Sequence, residues 1–121
     1  MSKRQSANTQ NFSPAVAAGG LLFVSGQASV QDGVVAPGSF AEEMARSIEN
    51  LRLILESWNL TLRDVIRVGA YVRDPGDLVE FNLLYPRYFS APLPARTTLT
   101  CCLPDTLKFE IDVVALLAAG R

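Results

Sequence analysis

The sequence predicts a single α+β domain, residues 1–121, in which two helices pack on one face of a mixed sheet. The first observation is the order of hydrophobic periodicities, which runs strands, helix, strand, helix and two strands. The second is length, because 121 residues suit one domain with one core. The third is composition: hydrophobic residues make up 49% of the chain and charged residues 19%, which is typical of a globular protein.

The first strands lie in two short apolar runs that follow a polar arm at 1–13. The runs at 15–18 and 21–25 are separated by Gly19 and Gly20, and a glycine pair between apolar runs predicts a hairpin. A turn at Asp32 and Gly33 then leads to a further short strand at 34–35.

The first helix begins with a capping box. Ser39 occupies the N-cap and Glu42 the N3 position, so each side chain accepts a hydrogen bond from a backbone N–H of the first turn. We expect the helix to end at Asn59. Apolar residues recur at intervals of three and four and predict one buried stripe, formed by Met44, Ile48, Leu51, Leu55 and Trp58.

The third segment, residues 64–88, predicts a strand and a second helix. Asp77 is expected to cap the helix, and Pro86 predicts a kink or a break near 82–85 because proline removes a backbone donor. Alternation over 64–74 predicts a strand whose core face carries Ile66, Val68, Ala70 and Val72.

The last two strands are predicted at 96–102 and 108–117, and the short connection at 103–106 favours an antiparallel hairpin between them. The final strand is apolar at both parities, which is typical of burial on both faces. Because the helices can cover only one face, we infer that a neighbouring subunit covers the other. The apolar positions are Val113, Val114, Leu116 and Leu117.

Composition excludes several classes of function. The net charge is −1, so charge does not favour nucleic acid or an anionic membrane as a partner. No apolar run reaches the roughly 18 residues of a membrane span, and the polar start shows no signal peptide, so a cytoplasmic protein is expected. There is no histidine, which removes a common metal ligand and general base. Cys101 and Cys102 are expected to be small buried residues in a reducing compartment.

Two charged residues near the C-terminus are candidates for chemistry. Arg96 begins a strand after Pro94, and its planar fork of donors suits a carboxylate, although a plain surface or salt-bridged arginine fits as well. Glu110 lies in an apolar strand, where a carboxylate is costly unless it is paired or used. It is either a proton-transfer group or one half of an ion pair with an arginine such as Arg67, Arg73 or Arg96.

Ser25 and Gly26 form a third candidate. Gly26 lets a ligand approach the backbone, although a serine and glycine at this place also fit a strand-ending turn. Ser25 is not a nucleophile elbow, because the flanking pattern is wrong and no histidine exists to activate it.

Taken together, the segments FSPAVAAGGLLFVSGQ, ARSIENLRLILES, DVIRVGAYVRD, FNLLYPRYF and PARTTLTCCLPDTLKFEIDVVA resemble the reactive intermediate deaminase (Rid or YjgF-like) family, arginine-bearing type. The resemblance implies a chorismate-mutase-like fold with a mostly antiparallel sheet and a homotrimer with three clefts between subunits. It implies hydrolysis of small 2-imino or enamino acids to 2-keto acids and ammonia, without cofactor or metal.

By position, the resemblance makes Arg96 the carboxylate anchor, Glu110 the group that handles the attacking water, and Ser25 and Gly26 part of the cleft. Two positions depart from the family pattern, since Phe12 replaces a frequent tyrosine and Thr98 a frequent cysteine. Both bear on substrate preference. Two other hypotheses stay open: a trimer that binds small carboxylates or proteins without turnover and, by fold analogy alone, a chorismate-mutase-like rearrangement.

Overall fold

The computed structural model describes residues 10–117, and within this range the fold contains seven strands and two α-helices. The strands are β1 (Ala15–Ala18), β2 (Leu21–Ala28), β3 (Val30–Gln31), β4 (Val34–Val35), β5 (Val65–Val72), β6 (Ala95–Thr100) and β7 (Phe109–Leu116). The helices are α1 (Phe40–Ser57) and α2 (Leu78–Leu84), with 3-10 turns at Leu62–Asp64, Pro75–Asp77 and Tyr85–Arg87.

Five strands form one mixed sheet in the order β1-β2-β7-β5-β6. All neighbours are antiparallel except β5 and β6, which are parallel. Helix α1 packs across β2 and β7 and also contacts α2. The predicted α+β architecture is therefore confirmed, with the β3–β4 ribbon as a separate two-stranded sheet.

The predicted hairpin between the last two strands is wrong. β6 pairs with β5, and β7 lies on the other side of β5, between β5 and β2. Two facts explain this arrangement. A parallel β5–β6 pair needs a long crossover, which α2 supplies, and the apolar β7 suits the centre of the sheet, where it has a partner on each side.

The first helix begins as predicted and ends slightly earlier. The Ser39 backbone N–H donates to Glu42 Oε1 at 2.8 Å, and the Glu42 N–H donates to Ser39 Oγ at 3.2 Å. The last helical residue is Ser57, and Asn59 takes the left-handed conformation with φ of 61° that terminates helices. Trp58 therefore leaves the predicted stripe and is 41% exposed.

The cap and the end of the second helix are now defined. Asp77 occupies the N-cap position as predicted, but its side chain makes no capping hydrogen bond. Instead, the Asp74 side chain accepts from the Gly76 N–H and caps the preceding 3-10 turn. Pro86 breaks the α-helix: α2 stops at Leu84, and the chain continues as a 3-10 turn.

Two further expectations about burial are wrong. A register shift between Val65 and Arg67 turns Ile66 out of the core, where it is 44% exposed. Cys101 and Cys102 follow the end of β6 and are both exposed, because Cys101 has a φ of 62° that turns the chain away from the sheet.

The core lies between the helices and one face of the sheet. Along β7, residues alternate strictly between buried and half-buried. The buried set faces α1 and α2 and consists of Phe109, Ile111, Val113 and Ala115. The half-buried set lies on the opposite side, which we call the open face, and consists of Glu110, Asp112, Val114 and Leu116. Cover of the open face by a neighbouring subunit stays a prediction.

A buried carboxylate fastens α1 to the start of β7. Glu43 is 1% exposed, and it accepts from the backbone N–H of Gly38 at 3.1 Å and of Lys108 at 2.9 Å. The Lys108 ammonium lies 3.4 Å from the same carboxylate. A buried charge is tolerated only with such partners.

Within the described residues, no helix is long and apolar enough to cross a bilayer.

Candidate functional site

A shallow cavity of about 410 Å³ lies on the open face, where β2 meets β7. The ladder between these strands is irregular between Val24 and Gln27, so Ser25 and Gly26 bulge opposite Asp112. A bulge redirects side chains and is frequent beside active sites. The cavity is lined by Phe12, Val24, Ser25, Gly26, Glu110 and Asp112. Four of the six predicted site residues are thus brought together.

The Glu110 carboxylate lies directly over Gly26. A Cβ atom added to Gly26 would stand 1.9 Å from Glu110 Oε2, which is closer than real atoms approach. The φ of Gly26 lies outside the left-handed region. The glycine is therefore required by the close approach of Glu110 and not by a turn, which favours the predicted cavity role over a strand-ending turn.

Glu110 carries a perturbed carboxyl. Burial, followed by the charge of Asp112, raises its pKa above the usual range. Among the described residues, no Lys or Arg forms a salt bridge with it. Within this protomer, the ion-pair interpretation is therefore not realised. A carboxyl with a raised pKa in a cavity is a candidate for proton transfer.

The three arginines considered as ion-pair partners are bound elsewhere. Arg67 donates to the Val68 carbonyl and to Thr97 Oγ1, and Arg73 donates to the carbonyl of Asp105. Arg96 donates to Asn82 Oδ1 at 2.9 Å.

Arg96 lies on the other face of the sheet. Its register partner is the buried Val68, and its guanidinium carbon stands 4.9 Å from the ring centre of Phe81 and 4.6 Å from that of Tyr85. Stacking on two rings, together with the Asn82 bond, fixes the planar fork in one orientation. Arg96 is exposed, so the fork is accessible to a ligand.

Arg96 and Glu110 therefore do not share a cavity within one protomer. Glu110 pairs in register with Tyr71 on β5, and its neighbours Phe109 and Ile111 point into the core, so Glu110 points to the open face. Arg96 points to the helix face on edge strand β6. The expectation that both line one cleft now requires two protomers.

The remaining predicted site residues divide between the open-face cavity, which holds Glu110, and the helix face, which holds Arg96. Ser25 Oγ donates to the Ser13 carbonyl at 2.6 Å and so ties the segment after Phe12 to β2. Phe12 is 54% exposed on the rim of the open-face cavity. Thr98 lies two residues after Arg96, beside buried Ala70, and is half-buried on the helix face with Arg96.

Sequence reasoning missed the residues that support the two charged groups. On the helix face these are Phe81, Asn82 and Tyr85, which hold Arg96. On the open face they are Tyr71 and Asp112, because the Tyr71 hydroxyl donates to Asp112 Oδ2 at 2.6 Å. Alternation over 64–74 leaves Tyr71 off the predicted core face, but the sequence did not show that β5 pairs with β7, which brings Tyr71 opposite the two carboxylates.

The fold and the site define a small α+β domain of the chorismate-mutase-like class, the fold of its structural neighbours. The chain belongs to the endoribonuclease L-PSP family, which includes the Rid proteins; the family pattern matches residues 2–117. The arginine-bearing type remains an expectation.

Three comparisons place the chain within this family. It is 38% identical over 108 residues to protein mmf2, mitochondrial, of Schizosaccharomyces pombe, covering 86% of each chain. It is 26% identical over 109 residues to a 2-iminobutanoate/2-iminopropanoate deaminase of Dermatophagoides farinae, covering 88% of this chain and 85% of the relative. The crystal structure of yeast Mmf1 superposes with a TM-score of 0.82 at 28% identity, covering 89% of this chain and 88% of that one.

Proposed function

We propose that this protein hydrolyses small reactive 2-imino and enamino acids to 2-keto acids and ammonia. The observation that carries the proposal is Glu110, a half-buried carboxyl with a raised pKa, placed over Gly26 in a cavity with no basic partner among the described residues. The deaminase name of the Dermatophagoides relative supports the same reaction class.

The proposed assembly is a homotrimer of the arginine-bearing type. Each cleft would combine Arg96 of one protomer with Glu110 of the next, because the two residues lie on opposite faces of a single sheet. Apolar side chains on the open face support this arrangement, since Val16 and Phe23 pair in register and are 53% and 44% exposed. An apolar patch of this kind is typical of a protein interface.

The mechanism follows from the chemistry of the substrate. Arg96 binds the substrate carboxylate through two parallel hydrogen bonds and so holds the C=N carbon in place. A water oriented by Glu110 attacks that carbon: a C–O bond forms, the C=N π pair moves to nitrogen, and one proton of the water passes through Glu110 to that nitrogen, which gives a carbinolamine. Glu110 then donates its proton to the amino group. The C–N bond breaks as the hydroxyl oxygen forms the C=O bond, the hydroxyl proton returns to Glu110, and ammonia and the 2-keto acid leave. Water supplies the oxygen, so the balance needs no other reactant.

Phe12 and Thr98 would shape substrate preference in these clefts. Phe12 presents an apolar edge to the open-face cavity and offers no hydroxyl. This favours imines with apolar side chains over those with polar side chains.

The competing hypotheses differ in what leaves the cleft. A binding trimer would retain a small carboxylate unchanged and release no ammonia. Ribonuclease activity, which the family description names, is disfavoured by Glu110 and Asp112 in one cavity, because two carboxylates repel phosphate. Incubation with labelled RNA tests that alternative directly.

The decisive experiment generates an imine in situ with an amino-acid oxidase and follows the release of keto acid and ammonia. Arg96→Ala and Glu110→Gln should abolish the acceleration over buffer. Arg63→Ala serves as the matched control, because Arg63 is exposed in the turn after α1 and lies outside the open-face cavity and the surroundings of Arg96. Wild-type rates no faster than buffer would refute the proposal.

We further propose that the protein acts in the cytoplasm. One relative is named as a mitochondrial protein, so the compartment needs its own test. A fluorescent fusion that coincides with a mitochondrial marker would contradict this part of the proposal.

A further inference from the structure

A second carboxylate shares the open-face cavity with Glu110. Asp112 is two residues further along β7, so its side chain lies on the same face and lines the same cavity. Tyr71 is the register partner of Glu110, yet its hydroxyl reaches diagonally and donates to Asp112 Oδ2 at 2.6 Å. The contact orients Asp112 from a neighbouring strand.

A glycine makes room for this contact. Gly69 is the register partner of Asp112, and a Cβ atom there would stand 2.5 Å from Asp112 Oδ1 and 2.9 Å from the Tyr71 hydroxyl. Its φ lies outside the left-handed region, so no turn requires glycine at this place. A Cβ atom on Gly26 would likewise stand 1.9 Å from Glu110 Oε2. Glycine weakens a strand interior, and here each of the two glycines faces a carboxylate of the cavity.

We propose that Tyr71 and Asp112 form a positioning pair that holds a fixed negative charge beside Glu110 and so keeps the proton that Glu110 gives to the departing amine. The proposal rests on the proposed function. Tyr71 and Asp112 act through Glu110 and need not touch the substrate.

The titration behaviour of the surrounding groups agrees with this role. The hydrogen bond to Asp112, with burial, raises the pKa of Tyr71 to about 12, so its hydroxyl remains a donor at any working pH. Burial and then Asp112 raise the pKa of Glu110.

No other charge offsets the pair within the described residues. Arg67 on β5 and Arg73 just after it are directed to other partners, and the residues that β2 brings to the cavity, Val24, Ser25 and Gly26, are all uncharged. Cys102 is a small further cause of the raised pKa of Tyr71, and it is not among the causes of the raised pKa of Glu110.

The test is a carbon-13 NMR titration of the Glu110 carboxyl, assigned by its loss in Glu110→Gln. The titration midpoint should fall in Asp112→Asn, which removes the charge. It should fall by less in Tyr71→Phe, because repulsion then lets Asp112 swing away from Glu110. Asp32→Asn is the matched control: Asp32 is an exposed turn residue outside the cavity, with a φ of 51° that asparagine also tolerates, and the midpoint should not move.

The pH–rate profile of imine hydrolysis gives the second readout. The upper limb of the profile should move to lower pH by the same amount as the Glu110 midpoint. At pH values above both midpoints, kcat/KM, which reports the free enzyme that the NMR titration follows, should fall about tenfold for each unit of that move. A destabilised fold alone would lower the rate at every pH without moving the limb.

Equal midpoints in the wild type, Asp112→Asn and Tyr71→Phe would overturn the positioning pair, even in an active enzyme. If Asp112→Asn does not fold, Tyr71→Phe decides, because it removes one oxygen and keeps the ring. Failure of the proposed function would give a different result: imine hydrolysis would be no faster than in buffer, whereas the Glu110 midpoints measured by NMR would still differ between the variants.

Discussion

A single methyl group at Gly26 should disable the enzyme without unfolding it. In Gly26→Ala the new Cβ would stand 1.9 Å from Glu110 Oε2. The backbone at Gly26 accepts alanine, since its φ lies outside the left-handed region. The clash falls on the far end of a flexible side chain, so the carboxylate moves and the strand stays.

The size of the effect follows from that displacement. Ordinary van der Waals contact begins near 3.4 Å, so the carboxylate oxygen must withdraw by about 1.5 Å. A misplacement of about 1 Å can cost about 100-fold in rate. We therefore expect kcat/KM to fall by about 100-fold, which corresponds to about 2.7 kcal/mol of lost transition-state stabilisation.

The assay is keto-acid release from imine generated in situ, with thermal unfolding followed in parallel. Gly76→Ala is the matched control, because its Cβ would meet only the Asp74 carboxylate, with Oδ1 nearest at 3.2 Å, away from the open-face cavity and from Arg96. In the Glu110→Ala background, Gly26→Ala should cost nothing further, since the two changes act through one carboxylate. Activity of Gly26→Ala within threefold of wild type would refute the positioning of Glu110 described above.

Three further predictions concern stability and assembly. Glu43→Ala should lower the free energy of unfolding by about 3 kcal/mol in urea titrations, because it removes the buried carboxylate that accepts from the half-buried N–H groups of Gly38 and Lys108 and pairs with the Lys108 ammonium; a loss below 1 kcal/mol would contradict this account. Glu110→Gln should raise the free energy of unfolding at neutral pH. The raised folded-state pKa of Glu110 gives the neutral carboxyl a stabilising effect that is complete below the unfolded value of about 4.3 and is lost as pH rises through the folded value, whereas glutamine stays neutral. Urea titrations from pH 4 to 8 should show the advantage of the variant growing with pH, and a constant difference would contradict it. Phe23→Arg should shift the mass measured by light scattering from about 39 kDa for a trimer to 13.1 kDa for a monomer, and an unchanged mass would argue against the proposed interface.

Local patterns predicted individual elements well. The capping box at Ser39 and the alternation along β7 are short-range signals, and the structure contains both. In β7, Phe109 lies in the core, and Glu110 and Asp112 lie on the opposite face, as the period of two in a strand requires. These features depend on residues within a few positions of one another, which a single sequence contains in full.

Long-range pairing was the part that local patterns could not supply. Proximity along the chain favoured a hairpin of the last two strands, whereas β6 pairs with β5 in parallel across the α2 crossover. The register of β6 against β5 decides which face Arg96 occupies. The separation of Arg96 from Glu110 therefore could not be predicted from local patterns either. The bulges at 24–27 and 65–67 likewise depend on partner strands.

The placement of Arg96 and Glu110 on opposite faces has a genetic consequence. In the proposed trimer, two inactive variants should complement each other when their protomers mix. Random assembly of equal amounts of Arg96→Ala and Glu110→Gln gives mixed rings in about three of four cases, each with one cleft that keeps both residues, so about a quarter of the wild-type activity should return. Two alleles that each encode an inactive protein would then complement one another in a cell that carries both.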